Sequence, residues 1–229
     1  MAEEIIRPES EYLKLTMAEG NVVERLRAML AKLVDEFEEL YQASHDLFQN
    51  RFEALKTRFE RIRKHKKEFE DLYRHSMFYL IRVGIGLQHR DTYTRAYLEL
   101  LRFAEDIEAV ALRLVELAEL NAKIDDSFVL GFQRFLEYIK ESLSVLIDST
   151  QLLTINANKA VEGFDKVIRN EDLCDDMYKD LLFALVHLSD KLKPIYIVSL
   201  RELLSFAEAS MNSLLRVAED LKWIALHRT

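Results

Sequence analysis

Cysteine is all but missing from this chain of 229 residues: Cys174 is the only one. No internal disulfide can form, which suits a reducing compartment. Glycine and proline are nearly as scarce, at five and two residues. A sheet protein of this length needs many turns and a helical bundle needs few, so the scarcity points away from β architectures and towards long helices. No stretch approaches the roughly 18 apolar residues of a membrane span, and the first twenty residues lack the basic-then-apolar layout of a secretion signal. The chain is expected to be cytoplasmic, at most peripheral at the inner face of a membrane. Its net charge is −8 and its pI near 5.4, which disfavours nucleic acid as a partner. A P-loop, a glycine-rich dinucleotide turn, His-Glu-x-x-His and Glu-x-x-His are all absent, so no enzyme activity is expected.

What the chain does have is helical periodicity. Leu26, Leu30, Leu33, Phe37, Leu40 and Leu47 recur at steps of three and four, with Ser44 filling the gap. Residues 1–20 read as a loose tail before this first helix. A weak break falls near Gln49–Asn50, and the second helix closes on Met77–Val83 and stops at Gly84-Ile85-Gly86. Asp91 is the expected N-cap of the third helix, and Asp125, Asp126 or Ser127 that of the fourth. Phe132, Phe135, Leu136, Ile139, Leu143, Leu146, Ile147 and Leu153 predict one long stripe within 128–168, with a turn at Asn170. The fifth helix then ends near Lys193, and Pro194 sits in the first turn of the sixth.

One stretch occurs twice. Glu99–Glu116 and Glu202–Glu219 agree at nine of eighteen positions at an offset of 103, and the offset also pairs Met77–Val83 with Asp180–Val186. Such self-similarity marks a duplicated unit. The predicted fold is all-α: six long helices arranged as two tandem pseudo-repeated three-helix bundles, over 21–121 and 122–229.

Asp172, Asp176 and Asp180 fall at i, i+4 and i+8 along one helix row, with His187 near the same face. Oxygen-rich rows suit Mg, Mn or Fe, and a histidine widens the choice towards Zn. A solvated helix N-terminus, whose dipole welcomes acids, accounts for Asp172 and Asp175 but not for Asp180, two turns in. A parallel row, Glu171 and Asp175, reads as lying further outward. Glu105 and Glu208 are the repeated acids, and Asn212 stands one turn beyond Glu208 where the first copy has Ala109. The candidate metal set is Asp172, Asp176, Asp180, Glu208 and Asn212. The stretch 51–67 is the one strongly basic segment, and Arg58, Arg61, Lys64 and Lys67 are its candidate contacts to an acidic partner or an anionic membrane surface. A solvated helix face is the other reading of it. Homodimerisation through a long exposed face is also open.

These motifs together resemble the PhoU family of phosphate-uptake regulators, in the branch associated with inorganic-phosphate transporters. The family's third-helix frame fits Glu208, Asn212, Arg216, Glu219 and Asp220, and in the first copy Glu105, Ala109, Arg113 and Glu116. Its acidic motif fits Asp172, Asp176 and Asp180, and His89-Arg90-Asp91 follows the glycine turn as in that branch. The resemblance implies a regulator of phosphate uptake or phosphate signalling that contacts a transporter or its sensor protein. It also implies Fe or Zn sites, here reduced to the second half, because the first half has Phe69, Tyr73 and Met77 at the aligned positions. The alternatives are a carboxylate–metal bundle with redox or hydrolytic chemistry, and a helical scaffold that has lost its ligands.

Overall fold

The computed structural model describes residues 16–189 and 192–228. They form six α-helices, α1 Met17–Phe48, α2 Phe52–Val83, α3 Arg90–Glu119, α4 Asp126–Leu152, α5 Ala157–His187 and α6 Pro194–Leu226, with a 3-10 turn at Gly84–Gly86. No strand occurs among the described residues, so the all-α expectation holds. The helices run 27 to 33 residues, about 40–50 Å at 1.5 Å per residue.

Local chemistry sets most of the ends. Asp125 caps α4 by accepting from Ser127 N–H at 3.0 Å, and Pro194 occupies the first turn of α6. α1 and α3 stop in the same way. Asn50 and Asn121 adopt φ of 56° and 50°, and the next residue returns a hydrogen bond five back, Arg51 N–H to Asp46 O and Ala122 N–H to Leu117 O. Asparagine tolerates this left-handed corner better than most residues, which is why it stands where glycine commonly does.

Several expected boundaries differ, among them the end of the fifth helix, which stops at His187 and not near Lys193. Of the expected tail, residues 1–15 lie outside the described residues, and α1 already begins at Met17, with the Thr16 hydroxyl accepting from Glu19 N–H. His89 rather than Asp91 is the N-cap of α3, and Asp91 sits inside the first turn. The stripe within 128–168 is two helices, not one. The chain turns at 153–156, where Asn156 adopts an extended φ of −154° and caps α5 through Lys159 N–H at 3.1 Å. Asn170, the expected turn, lies buried inside α5 and donates to Ser142 Oγ at 3.1 Å, tying α5 to α4.

α1, α3, α4 and α6 form the centre; α2 packs on α1 and α3, and α5 on α4 and α6. The largest interface joins α3 to α6. These two run antiparallel, riveted by Arg95–Asp220 at 2.6 Å, Arg216–Glu99 at 3.2 Å and Arg113–Glu202 at 3.1 Å. One continuous core, with Phe37, Phe103, Phe132, Phe164 and Leu214 fully buried, draws on all six helices.

Burial corrects the repeat register. Buried positions of α1 recur in α4 at an offset of 106 (Leu26 with Phe132, Leu33 with Ile139, Leu40 with Leu146). Those of α2 recur in α5 at 105 (Ile62 with Val167, Phe69 with Cys174, Leu80 with Leu185). Those of α3 recur in α6 at 107 (Leu100 with Ala207, Val110 with Val217, Leu114 with Leu221). On α3 and α6 the matching letters at 103 are thus four residues, about one helical turn, out of structural register, and on α2 and α5 they are two residues out. A slip of four residues rotates a helix by little, so it leaves the same face apolar and disguises itself as a true alignment.

Candidate functional site

The three aspartates of the predicted row, Asp172, Asp176 and Asp180, stand exposed on the outer side of α5. Asp176 meets Lys179 at 3.3 Å, and Lys179 also reaches Asp175 at 3.4 Å. Glu208 and Asn212 are half-buried on α6 and bond to each other, Asn212 Nδ2 donating at 2.5 Å. The α5 acids that turn inward are Glu171 and Asp175, both half-buried, the reverse of the order expected from the sequence. Burial, then Asp175, Asp172 and Glu208, raise the pKa of Glu171. Cys174, between them, is buried, and its thiol is pushed up to about 12, first by burial and then by Glu171 and Asp175. That suits a packing residue and not a thiolate nucleophile.

The donor set of Glu171, Asp175, Glu208 and Asn212 has the oxygen chemistry of a hard-cation site. Among the described residues, however, no three His, Cys, Asp or Glu side chains are gathered around one point.

The equivalent place in the first half is a charge cluster that sequence reasoning missed. In the burial register Lys66 answers to Glu171, Glu70 to Asp175 and Glu105 to Asn212. The Lys66 ammonium lies 2.5 Å from Glu108 and 3.8 Å from Glu70. Burial opposes its charge, but the Glu108 hydrogen bond and the fields of Glu108, Glu70 and Glu105 hold its pKa above the usual lysine value. Glu36 of α1 is fully buried nearby, and neither carboxyl oxygen has a hydrogen-bond partner. Burial raises its pKa well above the carboxylate range; Lys66 works against the shift, while Glu108 and Glu70 add to it. Asp106, on the α3 face towards α6, is raised to about 6 by burial, then by Glu105, Glu208 and Glu99. Glu36 stood in the first-helix stripe one residue before Phe37, and that apolar setting was the available signal.

Of the basic candidates, Arg58 is an internal clamp. Its guanidinium bonds Asp46 at 2.5 Å and Glu39 at 3.0 Å, fastening α2 to α1. Arg61 shares Glu39 at 3.4 Å, Lys64 approaches Glu68 at 3.9 Å, and Lys67 is exposed without an ion-pair partner among the described residues. Arg63, Lys64, Lys66, Lys67 and Arg74 line an open groove with Glu60, Glu70 and Glu108. No described helix is long and apolar enough to cross a membrane.

No family model matches the sequence, and no curated protein is similar to it in sequence. Solved structures are similar in fold. A PhoU-like phosphate regulatory protein from Shewanella oneidensis MR-1 superposes with a TM-score of 0.74 at 15% identity, covering 91% of this chain and 100% of that one. A PhoU-like protein from the same organism gives 0.76 at 14% identity, covering 90% and 99%. The chain therefore has the PhoU-like fold, along essentially the full length of both neighbours.

Proposed function

We propose that this chain is a non-enzymatic regulator of phosphate uptake or phosphate signalling that acts by contact with an inorganic-phosphate transporter or its sensor protein. The observation that carries this reading is the six-helix PhoU-like architecture, matched over 90% or more of the chain. The exposed cations Arg61, Lys64 and Lys67 are the proposed contacts to an acidic partner or an anionic membrane face; Arg58 is committed to Asp46. The test is phosphate uptake by cells lacking the chain, compared with cells supplied with it, during phosphate limitation and after phosphate is restored. Uptake should change on removal and return on complementation, and identical uptake in both would refute the reading. Charge reversal at Arg61, Lys64 and Lys67 should mimic removal without unfolding the protein.

Metal binding in the second half is a second reading, favoured by one observation. Glu171 sits half-buried, and burial and the fields of Asp175, Asp172 and Glu208 all disfavour its charged form. Glu171, Asp175, Glu208 and Asn212 are the proposed donors for Mg, Mn, Fe or Zn. Titration calorimetry with each ion should give binding that Glu171→Gln weakens. Absence of heat and of any Tm shift with all four ions would refute it.

A further inference from the structure

The burial register sets two exposed ridges side by side for comparison. α2 and α5 flank the central four helices, and each presents its outer side to solvent. At the offset of 105, Phe78 answers to Phe183 and Ile81 to Val186. All four are large apolar side chains in the open, exposed by 56%, 57%, 66% and 66%. An exposed apolar residue is ordinary by itself. The same pair left uncovered at the same place in both half-molecules is not, because nothing in packing the core demands it.

The charges around the two pairs differ in sign. Lys67 on α2 stands where α5 has Asp172, and the neutral His75 where α5 has Asp180, while the aspartate between them is common to both ridges and paired in each, Asp71 with Arg74 at 2.5 Å and Asp176 with Lys179 at 3.3 Å. Arg82 lies over the Phe78 ring at 4.4 Å. Neither Lys67 nor Arg82 has an ion-pair partner among the described residues, and on the other ridge neither do Asp172 and Asp180. Beyond the paired aspartates, the α2 ridge thus adds two cations outside any ion pair, Lys67 and the ring-stacked Arg82, and the α5 ridge adds two such anions, Asp172 and Asp180.

We propose that this chain associates with itself head to tail, the outer ridge of α2 of one copy docking on the outer ridge of α5 of the next. The occupant is a second copy because the molecule carries both complementary halves of the contact. The ridges lie on opposite flanks of the central four helices, so a single neighbour cannot engage both at once, and the contact is heterologous, propagating into a ring or a short filament instead of stopping at a two-fold dimer. The acidic row Asp172, Asp176 and Asp180 then serves as the charged rim of this contact. The inference does not depend on the phosphate reading.

Sedimentation velocity over a concentration series at low and high salt tests it. The wild-type chain should form species larger than a dimer that grow with concentration and shrink as salt screens the rims. Phe78→Gln/Ile81→Gln removes one ridge and Phe183→Gln/Val186→Gln the other. Both pairs are exposed, so thermal melts should match wild type. Each variant alone should be monomeric, its contact weakened roughly tenfold or more. An equimolar mixture should give a heterodimer and nothing larger, because only one intact pair of ridges remains. Monomeric wild-type protein at every concentration would overturn the proposal. So would a single-ridge variant that still dimerises alone, which would mean like-with-like pairing. Flotation of wild-type chain with anionic vesicles, lost in the α2 variant and without self-association, would assign the ridge to a lipid surface instead.

Discussion

Replacing Glu36 should make the protein more stable, and more so as pH rises. Glu36 is fully buried and neither carboxyl oxygen has a partner. Its folded pKa lies well above its unfolded value, chiefly through burial. The native state therefore holds this proton more tightly than the unfolded chain. Below the unfolded pKa both states are protonated and no penalty exists. Between the two pKa values, stability falls by about 1.4 kcal/mol per pH unit, and above the folded value the loss levels off. Glu36→Gln cannot ionise, so it escapes this slope. Glu36→Met also removes the unsatisfied polar atoms at similar volume. In a chain of this size each kcal/mol moves Tm by about 2–4 °C. Melts of wild type and both variants from pH 5 to 8 should diverge steadily, with the variants higher at the alkaline end. The difference between curves isolates Glu36 from Asp106 and Glu171, whose raised pKa values act in the same sense. Curves that run parallel would show that Glu36 ionises freely where it sits, and would refute the reasoning.

Asp106→Asn should remove a smaller slope confined between about pH 4 and 6, since Asp106 is raised only to about 6; denaturant titrations at pH 4.5 and 7 would read it. Gly163→Ala should cost about 1–3 kcal/mol despite the better helix propensity of alanine. A Cβ there would meet Ser149 Oγ at 1.9 Å and Ser149 Cβ at 3.0 Å, and a lowered urea midpoint with an unchanged m-value would show it. Asp46→Ala should cost about 1–3 kcal/mol, because Asp46 is buried and holds both Arg58 and Arg51; the two arginines are partly exposed, which limits the loss. Its signature would be a lowered Tm whose deficit persists in high salt.

Several elements were legible because their cause is local. A proline in the first turn fixes the start of α6, and an Asp–x–Ser cap fixes that of α4. The α4–α5 turn was hidden because the apolar stripes on either side happen to stay in phase. Its one local mark, the capping Asn156, was outweighed by periodicity. The basic stretch on α2 misled for a related reason. Arg58 looks like its neighbours in sequence, and only packing against α1 reveals Asp46 and Glu39 as its partners. The acidic row misled likewise: spacing groups Asp172, Asp176 and Asp180 correctly on one side of a helix, but not on which side of the molecule that lies.

Scarce glycine and proline and a 3.6-residue apolar period leave few solutions other than six long helices in two related halves, and both are legible in the residues alone. Tertiary structure decided the register between the halves, since a one-turn slip preserves the apolar face that α3 and α6 share. It also decided which acids turn inward, and left Glu36 buried without a partner while Lys66 was drawn to Glu108. Those outcomes depend on the rotation of each helix against its neighbours, a long-range quantity that residue spacing along one helix does not contain.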